Sequence, residues 1–398
     1  MAEEMMIPSD IPKSALTKDG QCQGELFQMP IQDRIAEVVR HALCHSLDFL
    51  HIGECWDRHD YIQRHHTPIS ALMCMDGCVS VARVAKVPWG IVQPFRNLGG
   101  RFDLGWSHLG ELLAESILEE TKKGGTVLCL VTYHFSKSDW HHGCTGFDGD
   151  ADAARAHAFT VARQLDRSFG QKHSSVYPIV VGIETDDEAL LFHGVEGKEV
   201  LDLSAVPETD EFRLVTSLRH LYPEMPEYII ADLMPLITGN LSHIADLTRR
   251  NRSINFHHRE WIICVGRGFD WLQPADQALI IGPYSPDLSE PLHTAASTIE
   301  SNMRCGKIPE DGFLLLTEAP YRQFGRERAR AELESRYLAE LAADIIRDRH
   351  PHLANKMHIR STISSKETHG VTFVESVPQS VKNQASTPES YATTRQKT

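Results

Sequence analysis

Strand-length runs of apolar residues recur along this chain, separated by stretches with helical spacing. The longest, Thr126-Val-Leu-Cys-Leu-Val-Thr-Tyr133 and Tyr177-Pro-Ile-Val-Val-Gly-Ile183, are continuous rather than alternating. A strand apolar on both sides belongs in a sheet covered on both faces. The pattern gives strands at 69–74, 91–95, 126–133 and 177–184 and helices near 32–49, 79–86, 106–122 and 151–168. Asp148-Gly-Asp150 supplies cap-forming residues for the last of these helices. The second half repeats the style, with helices near 210–221, 226–249 and 322–349 and strands near 259–265, 278–282 and 312–317. The expected fold is therefore α/β, a mainly parallel sheet covered by helices.

The same runs are far too short to span a bilayer, so no membrane partner is expected. Met1-Ala-Glu-Glu-Met-Met lacks the basic and apolar regions of a secretory signal, which points to the cytoplasm or an assembly within it. A formal charge of -14 argues against nucleic acid, whose phosphates need basic patches. The 398 residues suit two domains plus appendages. The expected division is a flexible segment at 1–30, a helical region at 31–66 with a His-rich link (His59, His65, His66), a catalytic domain at 67–205, a second domain at 206–360 and a polar, disordered tail at 361–398.

Nine cysteines, an odd number in a chain without an export signal, favour metal binding or free thiols over a disulfide framework. Ligands in α/β sheets gather at the carboxyl ends of strands. Cys74 ends one expected strand, His134 ends another, and Cys144 follows in the loop after it. Two thiolates and an imidazole suit zinc, and a Cys2His set leaves one position for water, the catalytic type of site. His141 and His142 offer alternative nitrogens before Cys144, and Cys78 offers another thiol. Asp76 lies close enough to accept a hydrogen bond from a zinc-bound oxygen or to bind the metal itself. Arg96-Asn-Leu-Gly99-Gly100 follows the next strand, where glycines permit tight backbone beside the site.

Cys74-Met-Asp76-Gly, Arg96-Asn-Leu-Gly and the later His and Cys resemble the zinc site of β-type carbonic anhydrases, whose first motif is Cys-x-Asp-x-Arg. Val131-Thr-Tyr-His134-Phe-Ser, His142-Gly-Cys144 and Gly182-Ile-Glu-Thr-Asp-Asp-Glu-Ala189 are closer still to the carboxysome shell carbonic anhydrases. The likeness is strong over about 65–205 and weaker through Asn240-Leu-Ser-His-Ile-Ala and Val265-Gly-Arg-Gly-Phe-Asp-Trp. It implies a zinc lyase that hydrates CO2 reversibly to bicarbonate by zinc-bound hydroxide, with Cys74, His134 and Cys144 on the metal and Asp76 as catalytic residue. Arg96, Gly99, His141 and His142 would then lie at the substrate pocket or in a proton relay. The C-terminal part would be a divergent copy of the catalytic fold without metal. Expected partners are CO2 and bicarbonate, a second copy of the chain, and carboxysome shell or cargo proteins, with the carboxysome as location where the host makes one.

One departure bears on activity: Cys78 occupies the place of the family's Arg, which holds the Asp off the zinc. Arg58, Arg83 and Arg101 are the nearby candidates to replace it. The alternatives are therefore a catalytically silent zinc-binding scaffold or regulator, or a hydrolase acting on a sulfur analogue of CO2.

Overall fold

The computed structural model describes residues 27–374 apart from 123–124, 139–142, 171–174, 207–210, 250–257, 270 and 273–276. Two helices lead, α1 (Ile31–Phe49) and α2 (Ile52–Arg64). The link read around His59 is therefore largely helical. Then come β1 (Ile69–Cys74), α3 (Val81–Val84), β2 (Val92–Asn97), α4 (Ser107–Thr121), β3 (Val127–Phe135), α5 (Ala151–Phe169), β4 (Val176–Glu184), β5 (Ala189–His193) and β6 (Val200–Asp202). β1 is buried at every residue, as its unbroken apolar run requires. Asp150 caps α5 by accepting from the amides of Asp152 (3.0 Å) and Ala153 (2.9 Å).

The second half contains α6 (Glu211–Leu221), α7 (Glu227–Arg249), β7 (Ile262–Gly266), β8 (Ala278–Ile281), α8 (Ser289–Arg304), β9 (Phe313–Tyr321), α9 (Arg326–Arg349), β10 (Met357–Ser365) and β11 (Val371–Val374). The first sheet runs β2-β1-β3-β4-β5-β6; the second, read from its opposite edge, runs β8-β7-β9-β10-β11. Strand polarity is similar too: three parallel pairs are followed by antiparallel pairing, two pairs in the first sheet and one in the second.

The two sheets meet at the end of β1. Asp76 and Leu279 form an antiparallel bridge, the Ile280 amide donates to the Met75 carbonyl at 2.6 Å, and the Gly77 amide donates to Ala278 at 3.0 Å. A further bond, Gly282 N–H to the Arg96 carbonyl, ties β8 to β2 at 2.8 Å. Helix α7 adds Asn240, fully buried, whose amide reaches the carbonyls of Val84 and Glu188 and whose oxygen accepts from the Leu190 amide. One apolar cluster runs through both halves, from Ile69 and Leu128 to Ile262 and Leu315.

The tail placed from 361 needs correction, because β10 and β11 extend the second sheet to Val374. Its polar composition concealed hydroxyls used inside the core: Thr362 donates to the Thr317 carbonyl (2.8 Å) and Ser364 to Glu318 Oε1 (2.6 Å). Residues 375–398, and 1–26 of the segment read as flexible, lie outside the described residues.

Glu318 also accepts from Trp271 Nε1 at 2.7 Å, yet burial pushes its carboxyl up to about 7. Its folded pKa exceeds its ordinary value of 4.5, so the folded state holds the proton longer than the unfolded one. Stability is then highest below 4.5 and falls as pH rises towards 7. We expect the wild type to lose about 3 kcal/mol between pH 4.5 and 8 from this group. Glu318→Gln should flatten that slope in thermal melts at the two pH values; an equal slope in both proteins would refute the assignment.

Candidate metal centre

Cys74 is the last residue of β1, His134 the last but one of β3, and Cys144 stands just before the 3-10 turn Thr145–Phe147. Because β1 and β3 are parallel neighbours, their carboxyl ends lie side by side. The ligand atoms of Cys74, His134 and Cys144 all fall within 4.8 Å of one another, and the two sulfurs are 3.7 Å apart. All three residues are buried, with His134 only 2% exposed. Neither ring nitrogen of His134 has a hydrogen-bond partner of ordinary geometry among the described residues. A buried imidazole without partners is costly, and a metal ion held with the two sulfurs would satisfy it. Without metal, Cys74 and Cys144 divide the protons unequally. The hydrogen bond with Cys144, then the nearby His134, hold the Cys74 thiol well below the usual range. The same bond, with burial, holds Cys144 well above it.

Glycines bring the Cys144 loop against the loop after β2. Gly99 has φ +64, in the left-handed region. A Cβ on Gly146 would stand 2.4 Å from the Gly99 Cα, so neither position has room for a side chain. Arg101 crosses the same junction, bonding the Gly146 carbonyl and, at 2.9 Å, Glu290.

Asp76 follows on the loop clamped by β8. Its Oδ1 accepts from the Cys78 amide at 3.1 Å and from the Cys78 thiol at 2.8 Å. Cys78 thus groups with Asp76 and His258, whose ligand atoms lie within 4.8 Å of one another. Burial pushes the Cys78 thiol well up, and the Asp76 charge pushes it further. Arg96, read as a pocket or relay residue, donates Nη1 to the carbonyls of Cys74 (3.1 Å) and Asp76 (3.0 Å), a bracing position for the loop. Among the replacement arginines, Arg58 lies over the Phe49 ring and Arg83 bonds the Cys78 carbonyl and Glu188. His141 and His142 lie outside the described residues.

The sequence reading missed His258, which stands before β7 and enters from the second half. Its Nδ1 pairs with Glu260 Oε1 at 2.9 Å. Burial works against its charge, but the Glu260 hydrogen bond and the Asp76 carboxylate push it up to about 9. The sequence reading starts a strand at 259 and gives His258 no role; the strand begins at Ile262, and only the folded contact reveals the pairing.

Residues 65–226 match the family model described as the carboxysome shell carbonic anhydrase catalytic domain. This segment is similar to the catalytic domain of that family. Cys74, Asp76, His134 and Cys144 all fall within it. A curated relative, the carboxysome shell carbonic anhydrase of Prochlorococcus marinus strain MIT 9313, is 27% identical over 227 residues, which is 49% of this chain and 44% of the relative. The chain therefore spans less than half the length of that relative. A solved carbonic anhydrase of Streptococcus mutans is 13% identical over 35% of this chain and 82% of its own, with a TM-score of 0.20, too low to bear on the fold. Beyond residues 65–226, the described residues form one further group with metal-ligand spacing, Glu300, His350 and His352. It lies at the ends of α8 and α9 rather than at the carboxyl ends of strands. Among the described residues, no helix is long and apolar enough to cross a membrane.

Proposed function

We propose that this protein is a zinc carbonic anhydrase that converts CO2 reversibly to bicarbonate, acting in the carboxysome where the host makes one. The observation that carries the reading is the buried Cys74–His134–Cys144 set, whose imidazole has no hydrogen-bond partner of ordinary geometry among the described residues, inside the segment that matches the catalytic domain. The donor spacing suits zinc: two thiolates about 2.3 Å from a tetrahedral centre lie roughly 3.8 Å apart, against 3.7 Å here. Bound zinc would supply a hydroxide nucleophile at neutral pH, by lowering the pKa of its water to about 7.

The chain's own residues do the rest. Cys74 and His134 would hold the ion from neighbouring strand ends of the first sheet, and Cys144 from the loop before Thr145–Phe147. Asp76 is the carboxylate positioned to accept a hydrogen bond at the reacting centre and orient the nucleophile. Arg96 and β8 fix the loop that carries it. The repeated strand order supports reading the C-terminal half as a divergent copy whose role is to complete the first.

Stopped-flow CO2 hydration at pH 7 and 8.5, on full-length protein of known zinc content, tests the proposal. Activity should follow zinc, vanish on chelation and return on readdition. A fully loaded protein inert at both pH values would sink it and leave a silent zinc-binding homologue, the reading favoured by Cys78 in place of Arg.

A further inference from the structure

The metal-site reading leaves a difficulty at Asp76. A carboxylate two residues from a ligating thiolate can reach the same ion and close its open position, so other groups must hold it away. Cys78 donates to Oδ1 only as a neutral thiol, a weak donor. A stronger donor comes from the other half of the chain. A ring nitrogen of His258 lies within 4.8 Å of an Asp76 carboxylate oxygen. The imidazole is fixed in its turn: Nδ1 pairs with Glu260 at 2.9 Å, and Glu260 is 1% exposed. Asn302, on α8, holds Glu260 in turn, donating to its Oε2 at 3.0 Å and to its carbonyl at 3.2 Å. Asn302, Glu260, His258 and Asp76 form a line that starts in the second sheet's helix layer and ends beside the metal ligands.

We propose that His258 is the positioning residue that holds the Asp76 carboxylate off the metal, so that the C-terminal half completes the site of the first. The inference rests on the metal-site reading above. An imidazole set between two carboxylates presents an oriented N–H, and a buried Glu fixes its ring as outer partners fix ligating histidines. The β8 clamp places the Asp76 loop in register with the segment before β7, since β7 and β8 are paired neighbours.

The test uses full-length protein loaded with cobalt(II), whose visible absorption reports the ligands around the metal, with azide as a probe for an open position. Wild type should bind one cobalt and change its spectrum with azide. His258→Ala should bind one cobalt, lose the azide response as Asp76 becomes a ligand, and hydrate CO2 about 100-fold more slowly. His258→Gln, which keeps a donor, should retain most of both properties. Adding Asp76→Asn to His258→Ala should restore the azide response without restoring turnover, which a merely structural defect would not do. If His258→Ala does not fold, Glu260→Gln keeps the volume of the line, and a weaker azide response with about 10-fold slower turnover is expected.

An unchanged azide response and turnover in His258→Ala, or in Glu260→Gln where that variant stands in, overturns the inference. So does a second cobalt lost with His258, since Asp76, Cys78 and His258 would then be a metal site. Wild type that takes up no cobalt overturns the metal-site reading and this inference with it. Cobalt uptake with unaltered variants overturns this inference alone.

Discussion

Cys74→Ser is expected to weaken metal binding by at least about 100-fold, since loss of outer partners alone costs 10- to 100-fold. Cys74 is 4% exposed at the end of a fully buried strand, and serine fits its volume, so the fold should survive. What changes is the donor. The thiol here is held well below its usual range, first by its hydrogen bond with Cys144 and then by His134, and thiolate is a preferred zinc donor. A serine hydroxyl at neutral pH is not ionised and is a poor partner for a borderline-soft metal. The check is zinc content after dialysis against a competing chelator, followed by CO2 hydration in excess zinc. Retention of stoichiometric zinc by the serine variant would show that the metal, if any, is held elsewhere.

Gly146→Val is expected to cost about 3 kcal/mol of stability, the upper range for forcing extra atoms into a packed site, and to weaken zinc binding at least about 10-fold. The new Cβ would meet backbone rather than a movable side chain, at 2.4 Å from the Gly99 Cα and 2.7 Å from the Gly99 nitrogen. Gly99 cannot easily retreat, because it already sits at φ +64 and its own Cβ position faces Gly146 and Phe147. The strain falls on the turn after Cys144, so the third ligand moves with it. Denaturant unfolding of metal-free protein and zinc competition measure the two effects separately. A valine variant with wild-type stability would mean that the two loops are not pressed together as described.

Much of the first sheet was legible because its signal is local. β1 was read at its observed limits, and β3 and β4 are unbroken apolar runs flanked by helical spacing, a pattern that burial on both faces forces on the sequence. The three candidate ligands were legible for a related reason: strand ends in a parallel sheet converge, and Cys74, His134 and Cys144 stand at or just beyond two of them. β10 was not legible, because its core hydroxyls look like surface residues until Thr317 and Glu318 appear opposite them. His258 was hidden more deeply. Its relation to Asp76 depends on a bridge between segments far apart in sequence, and no spacing rule reaches that far. Cys78 was read both as standing where an arginine belonged and as a spare thiol, and only the fold sets a histidine of the other half within 4.8 Å of Asp76.

The clamp between β8 and the loop after β1 also sets an order of events during synthesis. The first sheet can collapse while the ribosome is still making the second, since chains fold from the N-terminus as they emerge. The loop that carries Asp76 cannot then reach its final hydrogen bonds, because Ala278 and Ile280, which hold Gly77 and Met75, have yet to be translated. A nascent chain therefore carries the Asp76 loop without its clamp until the far half has been made.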